Sequence, residues 1–546
     1  MASSRAEPLM AKTLEVEHEQ APLAKAAAAA VRAAPAPMPA VMYAFIGVAA
    51  GANILFGFEN SIISGARAAY ASETGLDLHG AGYGFLASAL PAGATVACLV
   101  AGFLQDFLGR RRTLALCCLA YIGAALVSFT SQSYLMLAAG RVLTGLSIGI
   151  FSSTAPMCVS PRAPLSPAAA PAPHHPPPTP DDDESPHPLS TLAVRRYIAE
   201  LSPPAQRGQL VTVNQVCICT GVLLGYLASA VISSWRWQLF AATPLAAVLG
   251  LVFLFLMPFS PRWLMTKGRA DEARAVLERL RKGEDEAVVA AELEGIRVAC
   301  ASIGGADAGA ARWAKLQERH VVWSICIGVA AATMQQWSGV NAVNMYTSDV
   351  FRAAGFSGQL ATQLPILIGV AKLVFVIVAL FLMDRAGRKP LLLVGCAGMV
   401  VTLVALGFAL RPVPVPRDLG IVATASLCLY MAFFEVSLGP VLWLLLSELF
   451  PLQVKGIAMS IGSFTCWLWT VAVAQAFSSM SAPSALGESG SFFFFAACTA
   501  ASFVWIWFYV FETKGKSLEE IEDELRRACG GGGSADGEGE SDALKK

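Results

Sequence analysis

Charge is scarce in this sequence. Lys and Arg number 39 and Asp and Glu 39, together 14% of 546 residues, and they cancel to a formal net charge of zero. A nucleic-acid partner, which needs a basic surplus, is therefore not suggested. The thirteen cysteines are scattered through apolar segments with no C-x-x-C pair, so neither a disulfide framework nor a zinc site is indicated. They read as small apolar fillers, and no metal or cofactor is expected. Glycosylation acceptors of the form N-x-[S/T] are absent and give no help with the compartment. The stretch before Val41 lacks the basic, apolar and cleavage regions of a signal peptide. Catalytic groupings are missing as well: His174-His175 stand isolated, no nucleophile sits beside a base, and an enzyme is not expected.

What is abundant is apolar surface. Hydrophobic residues make up 55% of the chain and mean hydropathy is +0.57, values of a polytopic membrane protein. Apolar runs of about 20 residues, enough to cross roughly 30 Å of hydrocarbon as helix, recur along the chain. They begin near Val41, Tyr83, Thr113, Leu135, Leu210 and Gln238, then near Val321, Leu364, Pro390, Ile421, Gly456 and Phe492. The expected fold class is an all-α membrane protein with twelve transmembrane helices in two six-helix halves, residues 41–257 and 321–511. Residues 1–40 and 512–546 read as tails. Residues 258–320 read as a linker of short amphipathic helices on a membrane surface, the expected joint between two such halves.

The halves are related by repeated loops. Glu200-Leu201-Ser202-Pro203 through Arg207-Gly208 recurs as Glu448-Leu449-Phe450-Pro451 through Lys455-Gly456, both reading E-L-x-P-x-x-x-[R/K]-G. Asp106-Phe107-Leu108-Gly109-Arg110-Arg111 recurs as Asp384-Arg385-Ala386-Gly387-Arg388-Lys389. Such repetition points to a duplicated membrane protein. Lys and Arg cluster in alternate loops, which by the positive-inside rule face the cytosol together with both termini. One segment breaks the symmetry: Cys158 to Arg196, residues 158–196, rich in Pro, Ala and His and holding Asp181-Asp182-Asp183-Glu184. Its composition is that of a disordered insert. An unspliced intron is its proposed origin, since the Val-Ser pair just after the break can encode a splice donor.

In this order and in these loops the motifs resemble those of the sugar porters of the major facilitator superfamily, the relatives of facilitative glucose transporters and proton–sugar symporters. The resemblance runs from about Met42 to Glu522, apart from the insert. It rests on Gly102-x-x-x-Asp106-x-x-Gly109-Arg110-Arg111, Gly140-Arg141, Ser260-Pro261-Arg262-Trp263-Leu264 and Gln335-Gln336-Trp337-Ser338-Gly339-Val340-Asn341. Gly439-Pro440 with Trp443, and Glu512-Thr513-Lys514-Gly515, complete it. Relatives read P-[L/M]-Y-[I/L]-[A/S]-E without a break; here Pro156-Met157 and Tyr197-Ile198-Ala199-Glu200 are parted by the insert.

The resemblance implies a secondary transporter that moves a monosaccharide, hexose by default, by alternating access. Two halves that rock about a midplane site need breakable contacts on the cytosolic side. Asp106, Arg110, Arg111, Glu200 and Arg207, with Asp384, Arg388, Glu448 and Lys455, are assigned to that intracellular gate. Gln215, Gln335, Gln336 and Asn341 match family positions that contact hexose, and an amide supplies donor and acceptor together. Trp443 matches an aromatic that packs on the sugar. Glu59 stands where proton-coupled relatives carry an aspartate and facilitative ones a neutral asparagine, and Arg141 holds the position of its partner. A buried carboxylate whose charge is opposed by burial and favoured by a guanidinium can take up and release a proton, so proton symport is the expected mode.

Departures bear on the substrate. Lys372 replaces a family asparagine near the sugar; a lysine at the centre of a span costs about 2.5 to 3.5 kcal/mol on the insertion scale. It is therefore expected to face the cavity or a partner, with Glu435 as candidate. Cys466 and Thr470 replace two asparagines, and Met345 one of two tyrosines beside Tyr346. Phe259 and Phe511 replace a glutamate and a proline of the cytosolic motifs, which removes one gate carboxylate. Facilitative uniport of hexose or a polyol is the alternative, and a non-transporting sugar sensor the alternative of another class. The partners implied are sugar, protons and the lipid bilayer; a monomer in the plasma membrane rather than a vacuolar or other internal membrane is expected.

Overall fold

The computed structural model describes residues 40–74, 81–152, 207–282, 286–304, 314–411, 414–451, 454–482, 484–514, 516 and 518–529. The insert at 158–196 and Glu200 lie outside the described residues. The first half comprises α1 (Ala40–Thr74), α2 (Ala81–Leu108), α3 (Arg110–Phe129), α4 (Tyr134–Ser152), α5 (Arg207–Val231) and a sixth span split into α6 (Trp235–Phe240) and α7 (Thr243–Phe255). The linker holds α8 (Pro261–Thr266), α9 (Ala270–Leu280) and α10 (Glu286–Gly304). In the second half, α11 (Arg319–Trp337) and α12 (Val340–Ala353) form one broken span, and α13 (Gln359–Gln363) leads into α14 (Pro365–Ala386). Then follow α15 (Arg388–Ala409), α16 (Arg417–Val436) with α17 (Val441–Leu449), α18 (Lys455–Met480), α19 (Gly487–Tyr509) and α20 (Leu518–Ala528).

Among the described residues, ten of these spans are long and apolar enough to cross a membrane by length and composition. The other two, the 35-residue α1 and the broken α11–α12, carry Asn53, Glu59 and Asn60 and Gln335, Gln336, Asn341 and Asn344. Their polarity is that of helices facing an internal cavity. The second breaks at Gly339, whose φ of 87° puts it in the left-handed region that a side chain disfavours. Exposed Leu135, Val231 and Phe508 stand on the spans' outer surfaces, where hydrocarbon suits them.

Within the first half α1 packs on α5, α2 on α4, and α3 on α4 and α7; within the second, α15 packs on α19 and α16, and α11 on α18. Between halves the contacts are α2 with α18, α5 with α14, and α1 with α12. Helix α1 approaches α5 closely: a Cβ on Gly57 would stand 1.9 Å from the Ile218 carbonyl oxygen.

The stretch between the halves is helical. Ser260 Oγ caps α8 by accepting from the Trp263 amide at 3.3 Å, and Arg281 joins α9 to Glu292 of α10 at 2.9 Å. The segment expected only as a C-terminal tail contains a docked helix, since α20 buries Ile521 and Leu525. Its Glu522 meets Lys315 at 3.3 Å and His320 at 3.2 Å. Burial opposes the charge on Glu522, but Arg526, Lys315 and His320 together hold the carboxyl below its usual range.

Candidate functional site: a polar cavity between the halves

A cavity of about 110 Å³, room for several waters, lies between the halves. Gln215, Gln335, Gln336, Asn341, Lys372 and Trp443 all line it. Helix α5 brings Gln215 from the first half; the break at Gly339 turns the amides of α11 and Asn341 of α12 to one cavity; Trp443 comes from α17.

The amides are wired to one another. Asn341 Nδ2 donates to Gln336 Oε1 at 2.7 Å, and Gln336 Nε2 donates to Gln335 Oε1 at 3.3 Å. Gln335 Nε2 donates to the Leu438 carbonyl at 2.7 Å, where the chain passes from α16 to α17. Cys466 and Thr470 complete the cluster: Gln336 Nε2 lies 2.9 Å from Cys466 Sγ, and Thr470 Oγ1 donates to Gln336 Oε1 at 3.0 Å. Met345 is compensated from the other half, because Tyr83 donates to the Met345 carbonyl at 3.0 Å and packs edge-on against Tyr346, centroids 4.8 Å apart.

Sequence reasoning missed Asn53, Asn60, Asn214 and Asn344, which also border the cavity. Asn53 donates to Asn214 across α1 and α5. Asn344 Oδ1 has no hydrogen-bond partner among the described residues, an open acceptor. An asparagine inside an apolar run is the signal that could have found them, because a polar group in hydrocarbon needs a partner.

Beside the cavity Glu59 and Arg141 form an ion pair, buried to 3% and 2% side-chain exposure. Tyr121 donates to Glu59 Oε1 at 2.6 Å, and Arg141 Nη2 donates to the Glu59 backbone carbonyl at 3.2 Å. The next residue, Asn60, donates to Asn341 Oδ1 at 3.2 Å. One peptide unit therefore separates the buried carboxylate from the amide cluster. Lys372 Nζ stands 2.6 Å from Glu435 Oε1, a buried ion pair. Gln215 donates to Glu435 Oε2 at 3.3 Å across the halves.

At the Arg-rich end, the ion pairs among the described residues expected to form the gate lie within one half each. Arg388 grips Glu448 with Nη2 at 2.9 Å and Nε at 3.3 Å, and Thr513 donates to Glu448 at 2.6 Å. Asp106 lies 3.3 Å from Arg110. Arg111 donates to the Phe253 and Leu254 carbonyls and stacks over Phe259 at 4.7 Å, so an aromatic face receives the cation. Lys455 is buried. The side chains of Arg207 and Asp384, like Glu200, lie outside the described residues. At the opposite end the halves join directly: Arg67 with Asp349, Ser64 Oγ with Ser348 Oγ at 3.0 Å, and Tyr226 with Thr347 at 2.9 Å.

Two helical halves that enclose a polar cavity and join through polar contacts at one end have the architecture of a membrane carrier. The chain belongs to the family described as Sugar (and other) transporter, which matches residues 44–168 and 189–525; the match is interrupted inside the expected insert. The D-xylose transporter of Levilactobacillus brevis is 30% identical over 89% of this chain and 96% of its own length. The glucose transporter GlcP of Staphylococcus epidermidis is 30% identical over 90% and 99%. The structure of the E. coli proton:xylose symporter XylE bound to 6-bromo-6-deoxy-D-glucose superposes with a TM-score of 0.66 at 25% identity, covering 89% of this chain and 99% of that one. The twelve-helix major facilitator fold is thereby established, and the protein is a multi-pass membrane transporter, not an enzyme.

Proposed function

We propose that the protein carries a monosaccharide, hexose by default, together with a proton by alternating access about this cavity. The observation that carries the proposal is the continuous link from the Glu59–Arg141 pair through Asn60 to Asn341, Gln336 and Gln335. Gln215, Gln335, Gln336 and Asn341 offer amides to sugar hydroxyls, Asn344 an open acceptor, and Trp443 an apolar face. Protonation of Glu59 weakens its hold on Arg141, and movement of α1 at that point acts on the amide cluster through Asn60. Relatives named for xylose and glucose, and a structural neighbour named as a proton:xylose symporter, support this reading. Arg388 with Glu448, and Asp106 with Arg110, serve as the gate at the Arg-rich end.

Proteoliposome uptake across a sugar panel, with and without a proton gradient, tests it. Substrate entry through the wild type is expected to acidify the interior, and Glu59→Gln to abolish accumulation while sparing exchange. Full accumulation by the variant would overturn proton coupling. Flux without acidification indicates uniport, and binding without flux a sensor.

A further inference from the structure

Once the amides and the Glu59–Arg141 pair have their roles, two charged side chains in the cavity remain. Lys372 on α14 and Glu435 on α16 meet at 2.6 Å with side-chain exposures of 4% and 0%. They are the charged members of the described cavity lining, whose other residues are amides, hydroxyls, Cys466, Gly439 and apolar groups. The cavity therefore holds one positive and one negative charge and is neutral as a whole. Each group has a further neighbour: Glu435 Oε2 accepts from Gln215 of the first half at 3.3 Å, and Lys372 Nζ lies 5.4 Å from the centre of the Phe434 ring.

A charge buried in such a place is tolerated when an opposite charge compensates it, and removal of one partner leaves the other stranded. The same balance governs what enters. A neutral polyol hydrogen-bonds to both groups without altering the sum of charge. A sugar bearing a carboxylate or an ammonium adds a charge that nothing in the lining compensates. Rejection then comes from a mismatch built into the site rather than from a contact to the accepted ligand.

We propose that Lys372 and Glu435 act as a specificity-determining pair that restricts the cavity to uncharged polyols by keeping its own charge at zero. The proposal rests on the reading of the cavity as a sugar site. Its consequence is a reversal of selectivity in opposite directions. Glu435→Gln leaves the Lys372 amine, which a sugar carboxylate entering the cavity favours in its charged form. Lys372→Gln leaves the Glu435 carboxyl, which a protonated amino sugar favours in the same way. The double neutral variant restores balance and the preference for neutral sugars.

The test is competition against D-glucose uptake in proteoliposomes by D-glucuronate, by D-glucosamine at a pH where its amine is protonated, and by N-acetyl-D-glucosamine as a neutral control for bulk. Wild type is expected to take both charged sugars at least about tenfold less well than glucose. The ratio of glucuronate to glucosamine competition is expected to rise at least about tenfold in Glu435→Gln and to fall as far in Lys372→Gln. Thermal unfolding of each purified full-length protein with each sugar reads binding in any variant that does not transport: the counter-charged sugar should raise Tm and the other should not. Unchanged ratios in both variants, or wild type that accepts glucuronate as readily as glucose, would overturn the proposal while leaving sugar transport intact. If wild type neither takes up nor is stabilised by any sugar, the reading of the cavity falls and this proposal falls with it.

Discussion

Asn60 of α1 donates to Asn341 of α12 across 3.2 Å, a bond between residues 281 positions apart that crosses from one half of the molecule to the other. Asn60 follows Glu59 directly, and Asn341 heads the amide cluster. The bond thus links the residue after the buried carboxylate to the groups proposed to hold sugar.

Loss of that bond is expected to uncouple transport rather than abolish it. A net contribution of about 1 kcal/mol for one hydrogen bond corresponds to roughly five- to tenfold. Asn60→Ala should lower proton-driven accumulation by about that factor while counterflow exchange changes little. Equal losses in accumulation and exchange would show that Asn60 serves folding or sugar binding alone.

The end opposite the Arg-rich loops should separate during the cycle. Ser64 and Ser348 face each other from α1 and α12 with their hydroxyls 3.0 Å apart, and a bridge there would tie the halves together. Ser64→Cys with Ser348→Cys is expected to lose uptake on oxidation and regain it on reduction. Uptake by the oxidised, cross-linked protein would show that this end does not open.

Neutralising half of the Arg67–Asp349 pair at the same end should favour the state in which it is open. A thiol-reactive label on a single cysteine at Ser64 is expected to react faster in Asp349→Asn than in the Asp349 parent. Equal rates would assign the pair to stability alone.

Removal of one member of the buried Glu59–Arg141 pair leaves the other charge uncompensated. Arg141→Ala is expected to cost about 3–5 kcal/mol, and Glu59→Gln less, because the Gln side-chain oxygen still accepts from one of the two donors and the backbone carbonyl of residue 59 still accepts from Arg141. Thermal unfolding in detergent measures both, and Glu59→Gln with Arg141→Gln should recover much of the loss of the arginine variant.

Glu512 sits outside the membrane spans. Burial opposes its charge, but the backbone amides of Arg388, Lys514 and Lys389 together hold its carboxyl below the usual range. A depressed value in the folded state means that the carboxylate stabilises fully above its unfolded pKa of about 4.3 and loses that effect as pH falls through the folded value. Glu512→Gln should lower Tm by a few degrees at neutral pH, and the difference should shrink on acidification. A difference that grows toward acid would contradict the assignment.

Much of this was legible in the chain because the signals are local. An apolar run declares a span wherever its neighbours lie, and D-x-x-G-R marks a loop in each half without reference to the other. Gln335, Gln336 and Asn341, which line the cavity, were singled out through the motif they share with the sugar porters. The helix α20 was not, since its packing depends on Lys315 and His320, some two hundred positions earlier.

By itself the sequence determined the class of molecule, the number and order of its spans, the repeated loops and several of the polar residues that hydrocarbon would not tolerate without partners. Only the tertiary structure decided who those partners are: Tyr83 supplying the aromatic that Met345 lacks, Asn60 reaching Asn341, Arg67 meeting Asp349, and Phe259 receiving Arg111. Each of these is a contact between distant residues. It depends on how two six-helix halves rotate and close on each other, and the close packing of whole helices sets that rotation rather than any short stretch of chain.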